Sequence, residues 1–524
     1  MFDRTSALTT MAGGRFDVLV IGGGITGAGV ALDAASRGLR TALVERDDFA
    51  SGTSSASSKL VHGGLRYVSQ GELGLVAQAL AERQRLLRNA PHLVRPLPFV
   101  LPLAGGSAAA RSVGTALWLY DLAGGARIGQ VHRRLSADEA RARVPALRPD
   151  AFRRAYLYLD AHADDARLTL AVARTAVVDH GAVAANHAAV AGLLRSRSGR
   201  VLGARVVADG EEIEVRAAVV VNATGVWSDE VAGLEDGPAG PGAAHTPTIR
   251  PAKGVHLTVR RDRLPATTAA VLPVAADGRS IFVIPWPGTD RVYLGTTDTD
   301  YQGDLDRARC TAADVAYLLG AANASLAEPL TPADVVGCWA GLRPLVAATA
   351  GRTADLSRRH RLSRSPGGMV TITGGKLTTY RRMAADTVDQ VAGILGAGAR
   401  SRTASLPIRA ADRGPVRGSI VADPSLAEPL VEGLPYLRAD VVHAVRHEMA
   451  RTLEDVLDRR LRVRILDRDG AATAASDVAD LVRADLGWSR TQADANVAAY
   501  RDRLEAERAA AGLLARTPLR RSAG

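Results

Sequence analysis

The run FDVLVIGGGITGAGVALDAASRGLRTALVE, residues 16–45, decides the fold. FDVLVI is a short apolar stretch of β type, GGGITG is a glycine turn, and AGVALDAASR has helical composition. Gly38 stops that helix and LRTALVE opens a second strand, so the segment reads as a β-α-β unit with connections of ordinary length. Gly22, Gly24 and Gly27 satisfy G-x-G-x-x-G directly after the strand and at the helix start. A dinucleotide needs each of them. Gly22 turns tightly, Gly24 lets the backbone approach a pyrophosphate, and Gly27 lets helix and strand pack closely, while the helix N-terminus offers free N–H groups to the phosphates. Glu45 closes the second strand 18 residues after Gly27, where a carboxylate can accept from ribose hydroxyls.

Two later segments favour FAD among the dinucleotides. Val219 to Val221 is an apolar strand running into Asn222-Ala223-Thr224-Gly225, a small-residue turn able to approach the cofactor again. Thr373 to Tyr380 supplies another glycine turn leading into a helix. Its Gly-Lys pair is no P-loop, because Leu377 stands where a Mg-binding Ser or Thr is needed, and this argues against a nucleotide triphosphatase.

Composition sets the outer bounds. A chain of 524 residues with 47% apolar content fills several packed domains, which excludes a disordered or fibrous protein. Cys310 and Cys338 cannot make a disulfide framework and read as reduced core residues of a cytosolic protein. The opening MFDRTSALTTMAGG lacks the apolar stretch of a signal peptide and reads as a flexible tail over 1–14. No run of about 18 residues is apolar and uncharged, so no bilayer-spanning helix is expected. The formal charge of +11 is spread along the chain, and aromatic residues are only 4%, which argues against nucleic acid and stays compatible with an anionic membrane surface. Of the 66 Lys and Arg, only Lys59, Lys253 and Lys376 are lysines, a placement that suggests sites wanting a compact point charge.

Residues 72–90 predict a helix with Leu73, Val76, Leu80 and Leu87 on one face, and 190–300 is rich in short β-branched runs. Beyond the Arg/Pro/Gly-rich stretch RTASLPIRAADRGPVRGS the text turns helical, with Val442, Val445, Met449, Leu453 and Leu457 at helical spacing. His443 and His447 lie four apart, but the order is not H-E-x-x-H and no third ligand is evident, so no metal is expected. Asp298 and Asp300 read as a polar turn, and Glu454, Asp455, Asp458, Arg459 and Arg460 as a solvated charged face.

The runs SGTSSASSKLVHGGLRY (51–67), VNATGVWSD, AGLRPL, GGKLTTYR and HEMARTLEDVLDRR together resemble the FAD-dependent glycerol-3-phosphate dehydrogenases, respiratory enzymes that pass electrons to quinone. The similarity spans about residues 15 to 500. It implies an α/β fold: a Rossmann-type FAD-binding domain (15–105, 150–245 and 341–400), an interleaved β-sheet substrate domain (106–149 and 246–340) and a helical C-terminal cap domain (401–524). The implied reaction oxidises glycerol 3-phosphate to dihydroxyacetone phosphate, with FAD held non-covalently. The implied catalytic residues are His62, His256 and Arg343, with His62 favoured as base and His256 as its rival, because imidazole titrates in the right range. Arg66, Tyr67, Arg358 (or its neighbour Arg359) and Lys376 are implied to bind substrate, joined by Arg343, since guanidinium forks suit a phosphate. Cofactor contacts are implied at Gly22, Gly24, Gly27, Glu45, Thr53, Ser57, Ser58, Ala223, Gly225, Gly374, Gly375, Leu377 and Thr378. The resemblance also implies a cytoplasmic protein, peripheral on the inner face of the membrane, and allows a homodimer. Oxygen as acceptor, as in a glycerophosphate oxidase, stays open, and so, at the margin, does a basic binding protein without turnover.

Overall fold

The computed structural model describes residues 2–69, 71–103, 107–235, 248–274, 279–346 and 360–513. Two sheets organise it. The first has eight strands, with Arg15–Ile21 at its centre between Thr41–Val44 and Glu211–Asn222, all parallel, and Val370–Gly374 parallel beyond. Parallel strands need both faces covered, and Arg15–Ile21 shows why this one is apolar in consecutive positions. Val18 and Val20 pack against the helices Ile25–Ser36, Asp165–Val178 and Tyr380–Leu395, while Leu19 and Ile21 pack into a separate core with Met11 and Val206.

Met11 belongs to the segment expected to be a loose tail. Residues Arg4–Gly13 instead form a helix, capped by the Asp3 carboxylate accepting from Ser6 N–H. Burial drives it: Met11 and Ala7 enter the core, and the Arg4 guanidinium donates to the carbonyls of Asn186 (2.7 Å) and His187 (2.9 Å). With so few apolar residues, a stretch this short carries little helical periodicity to read.

Among the described residues the second sheet has ten strands. Ile249–Arg260 pairs along most of its length with Val335–Val346, which sets Ala252 opposite Arg343 and His256 opposite Trp339. Val94–Leu103 and Arg154–Ala163 also hydrogen-bond here, Phe99 opposite Tyr158, although the sequence division allots both to the cofactor domain. Prolines 96, 98 and 102 disguise the first of these strands, since proline removes ladder donors.

The helices Arg438–Glu448, Arg468–Val482 and Arg490–Ala510 pack a third layer onto this sheet through Val441, Val478 and Val497. The stripe expected to continue through Leu457 is not one helix. Met449 adopts a left-handed conformation (φ 57°) that ends the helix at Glu448, and Asn186 Nδ2 donates to the Met449 carbonyl at 2.8 Å. The following charged turn, Asp455–Arg460, is not solvated either. Asp455, Asp458 and Arg460 are buried, with Arg460 on Asp48 (2.6 Å), Arg503 on Asp458 (2.6 Å) and His187 on Asp455 (2.8 Å). Partners far away in sequence neutralise a face that looks solvent-bound when read alone.

Candidate active site

A cleft opens at the carboxyl ends of the parallel strands, where such sheets place ligands. Gly22 turns with φ 108°, and a Cβ there would sit 2.8 Å from the Ala223 carbonyl oxygen. A Cβ on Gly27 would overlap the Gly22 carbonyl, and one on Gly24 would press on Ser54 Oγ at 3.1 Å. The turn is therefore sealed from behind and bare toward the cleft, the cradle a pyrophosphate needs. Ser54 Oγ accepts from Ile25 N–H (2.9 Å), closing the first helical turn. Sequence reading missed Ser54, and only its nearness in space to Gly24 reveals it.

Glu45 stands at the cleft's second strand, its two oxygens accepting from Gly23 N–H (2.6 Å) and Asp47 N–H (2.9 Å). Burial raises its pKa, against the pull of both amides. Thr53, Ala223, Gly225, Gly374, Gly375 and Leu377 line the same cleft. Trp227 lines it too, and among the described residues its buried Nε1 has no partner, a donor facing an absent acceptor. Cradle, carboxylate and orphaned donor all suit FAD. Ser57, Ser58 and Thr378 do not reach the cleft: Ser57 Oγ donates to Asp165 (2.7 Å) and Ser58 Oγ bonds His256 Nε2 (2.8 Å).

Lys376 lines the cleft, its ammonium 3.9 Å from the centre of the Tyr67 ring. The half-buried His62 is tied by its main chain to the residue two after Lys376: Thr378 Oγ1 accepts from His62 N–H (3.0 Å) and donates to its carbonyl (3.3 Å). Arg343 is held in the second sheet: Nη1 bonds Asp298 (3.0 Å), and Nη2 donates to the Thr297 carbonyl (3.1 Å) and Thr296 Oγ1 (3.2 Å). Asp298 is thus no idle turn residue; it braces the guanidinium. Arg66 opens the short helix Arg66–Ser69, while its side chain, like Arg358 and Arg359, lies outside the described residues.

His256 is buried and stacked on Trp339 at 4.7 Å. Burial, then the charges of Lys59 and Arg343, hold its pKa well below the imidazole range, so it is neutral near pH 7. The other two lysines are structural. Lys59 bonds the buried Asp165 at 3.0 Å, and Lys253 bonds Asp314 at 2.6 Å, stapling its strand to the helix Ala312–Asn323. Of the three lysines expected to mark the active site, Lys376 lines the cleft and these two do not. Asp48, His187 and Asp455 lie within metal-ligating range of one another, but Arg459, Arg460 and Asn186 already hold the two carboxylates.

One buried histidine makes stability depend on pH. His162 packs beside Trp286 and Tyr293, and burial pushes its pKa down to about 4. The unfolded chain protonates near 6.5, so it binds more protons throughout that window. Stability is then complete above about pH 6.5 and is lost as pH falls toward 4, by about 3 kcal/mol from this group. Urea midpoints measured at pH 7 and 4.5 should show the drop, and His162→Phe should flatten it.

Fold and cleft define a flavin-binding oxidoreductase, built from a dinucleotide sheet and a second, ten-stranded sheet among the described residues. Residues 17–381 match the FAD dependent oxidoreductase family, and residues 412–493 match the C-terminal domain of alpha-glycerophosphate oxidase. The chain is 42% identical to glycerol-3-phosphate dehydrogenase 2 of Mycobacterium tuberculosis, covering 94% of this chain and 88% of that one. It is 41% identical to the glycerol-3-phosphate dehydrogenase of Mycobacterium leprae over the same shares. The crystal structure of the glycerol-3-phosphate dehydrogenase from Bacillus halodurans complexed with FAD superposes with a TM-score of 0.76 at 30% identity, covering 98% of each chain. An L-alpha-glycerophosphate oxidase from Mycoplasma pneumoniae shares the fold at 17% identity, with a TM-score of 0.57 over 74% of this chain and 97% of that one. The chain belongs to the FAD-dependent glycerol-3-phosphate dehydrogenase family, and FAD is its cofactor.

Proposed function

We propose that this protein oxidises sn-glycerol 3-phosphate to dihydroxyacetone phosphate and passes the electrons to quinone at a membrane surface. The observation that carries the reading is Lys376, which lines the cofactor cleft with its ammonium over the Tyr67 ring, in a chain whose relatives are named for this substrate. When bound, FAD supplies the acceptor for the hydride that leaves C2. The protein supplies position and charge. Arg343, braced by Asp298, and Lys376 hold the phosphate, which sets C2 in a productive orientation; positioning of this kind is worth on the order of 7–11 kcal/mol in favourable cases. Gly22, Gly24 and the helix N-terminus behind them hold the cofactor's pyrophosphate, and Glu45 its ribose. His62 takes the C2 hydroxyl proton; its half-buried position and its main chain pinned by Thr378 support this role. A second reading gives the proton to His256, favoured by its neutrality and its place on the strand that faces Arg343.

Anaerobic addition of glycerol 3-phosphate to the yellow protein should bleach its flavin band, and an unresponsive protein sinks the proposal. Among His62→Gln and His256→Gln, loss of the true base slows this bleaching by about 10²-fold or more with flavin content unchanged. The match of residues 412–493 to an oxidase domain favours oxygen as an alternative acceptor, so peroxide yield should be measured against quinone reduction. Stoichiometric peroxide would replace the quinone step. Among the described residues no helix is long and apolar enough to cross a membrane, so contact with lipid, if quinone is the acceptor, is made at a surface.

A further inference from the structure

The peptide unit between His62 and Gly63 is gripped at both ends by side chains from distant parts of the chain. Its carbonyl accepts from Thr378 Oγ1 (3.3 Å), and its N–H donates to the Tyr120 hydroxyl (3.1 Å). Thr378 Oγ1 also accepts from His62 N–H (3.0 Å). The main chain is thus fixed on both sides of the His62 Cα, and with it the direction in which the imidazole leaves the backbone. The approach of Tyr120 depends on residue 63 having no side chain. A Cβ there would stand 2.8 Å from Tyr120 Cε2 and 2.7 Å from Leu80 Cδ2.

Tyr120 is held in turn. Its hydroxyl lies 2.7 and 2.8 Å from the two Asp160 oxygens and donates to that carboxylate. Arg83 Nη1 donates to Asp160 as well (2.7 Å), and Arg83 Nη2 donates to the Gly125 carbonyl (2.9 Å). Burial, then the Asp160 charge, raises the Tyr120 hydroxyl well above its ordinary pKa, so it keeps its proton. That proton goes to Asp160, and the oxygen lone pairs are left for Gly63 N–H. Arg83, Asp160 and Tyr120 are all buried, yet stability does not call for a polar set here. Apolar residues of the same volume in place of a buried ion pair are often neutral or stabilising. What only the polar set supplies is a hydroxyl of fixed polarity against the His62 loop.

We propose that Tyr120, oriented by Asp160 and Arg83, is a positioning residue that fixes the peptide between His62 and Gly63 and so aims the His62 side chain for proton removal. This rests on the reading of His62 as the base. Tyr120 does not line the cofactor cleft, so its effect on the reaction passes through the loop it holds.

Tyr120→Phe is the test, made in the FAD-loaded enzyme. It keeps the ring among Val76, Leu80 and Tyr158 and removes the hydroxyl alone. Gly63 N–H is then left to Asp160, 3.4 Å away, and turning toward it tilts the peptide. Flavin content should stay normal. In anaerobic flavin reduction the half-saturating glycerol 3-phosphate should stay within about twofold of wild type, while the limiting rate falls about ten- to a hundredfold, the scale of a misaligned catalytic group. In the His62→Gln background the same substitution should slow the reaction no further, because its effect passes through that side chain. Tyr158→Phe, which removes a buried hydroxyl beside Tyr120, should reduce at the wild-type rate. Wild-type reduction by Tyr120→Phe, with His62→Gln slow, overturns the positioning role and leaves the base in place. Additive losses in the double variant overturn it as well, and so does an equal loss in Tyr158→Phe, which would assign the effect to packing. Wild-type reduction by His62→Gln removes the base reading itself, and this proposal with it.

Discussion

Gly27→Ala should purify colourless. The added Cβ would overlap the Gly22 carbonyl oxygen and approach Val20 Cγ1 at 3.4 Å, and neither is the end of a flexible side chain that can swing away. Relief requires displacing the turn at Gly22, whose backbone (φ 108°) already tolerates few alternatives and whose other side is closed by Ala223. Overpacking of this kind costs about 1–3 kcal/mol in a core, and here the whole cost falls on the loop that approaches the pyrophosphate. Flavin absorbance per protein, measured after desalting, should drop to near background, and turnover with it. Gly393→Ala is the matched control: it lies in the helix Tyr380–Leu395, and a Cβ there meets nothing within 4 Å. The control should stay yellow. A yellow Gly27→Ala protein with normal turnover would refute the assignment of this turn.

Asp165→Ala should be the most destabilising substitution near the site. The carboxylate accepts from Lys59 Nζ (3.0 Å), Arg462 Nη2 (3.1 Å), Ser57 N–H (2.9 Å) and Ser57 Oγ (2.7 Å). Lys59, Asp165 and Arg462 are all buried, and burial pulls the Lys59 ammonium down to about 8 even with its partner in place. Removing the carboxylate strands two cations where water cannot reach them, a loss of about 3–5 kcal/mol. Lys59→Met is expected to cost less, since Asp165 keeps Arg462 and the thioether fills similar space beside Trp339. Denaturant titration of both variants gives the ranking; the reverse order would contradict the account. Because Ser57 bonds Asp165 and the next residue, Ser58, bonds His256, Asp165→Ala should also slow flavin reduction through the loop that carries His62.

Much of the cofactor side of the site was legible because it is local. Gly22, Gly24, Gly27 and Glu45 belong to one β-α-β unit, and the return turn at Ala223 and Gly225 follows a strand with its own apolar signature. What misled was charge. Lys253 reads as a site marker and is a clamp on Asp314; Asp455 and Asp458 read as solvated and are buried. Charged residues have no periodicity of their own, and whether one meets water or a counter-ion depends on residues far along the chain. Asp298 shows the same limit from the other side, since only the pairing of Ile249–Arg260 with Val335–Val346 and the turn beside it brings its carboxylate to Arg343.

The sequence by itself determined the dinucleotide unit, the preference for FAD and the family, because those rest on spacing within a few dozen residues and on motifs carried whole. Tertiary structure alone decided which strands share the second sheet, that the first residues are a packed helix, and which of three lysines faces the cleft. The reason is separation: Lys59 and Asp165 are 106 positions apart, and Arg381 and Glu82 are 299 apart. Contacts at such distances leave no periodic trace in the chain, and their energy, set by burial and by the partner that happens to face them, exists only once the layers have closed.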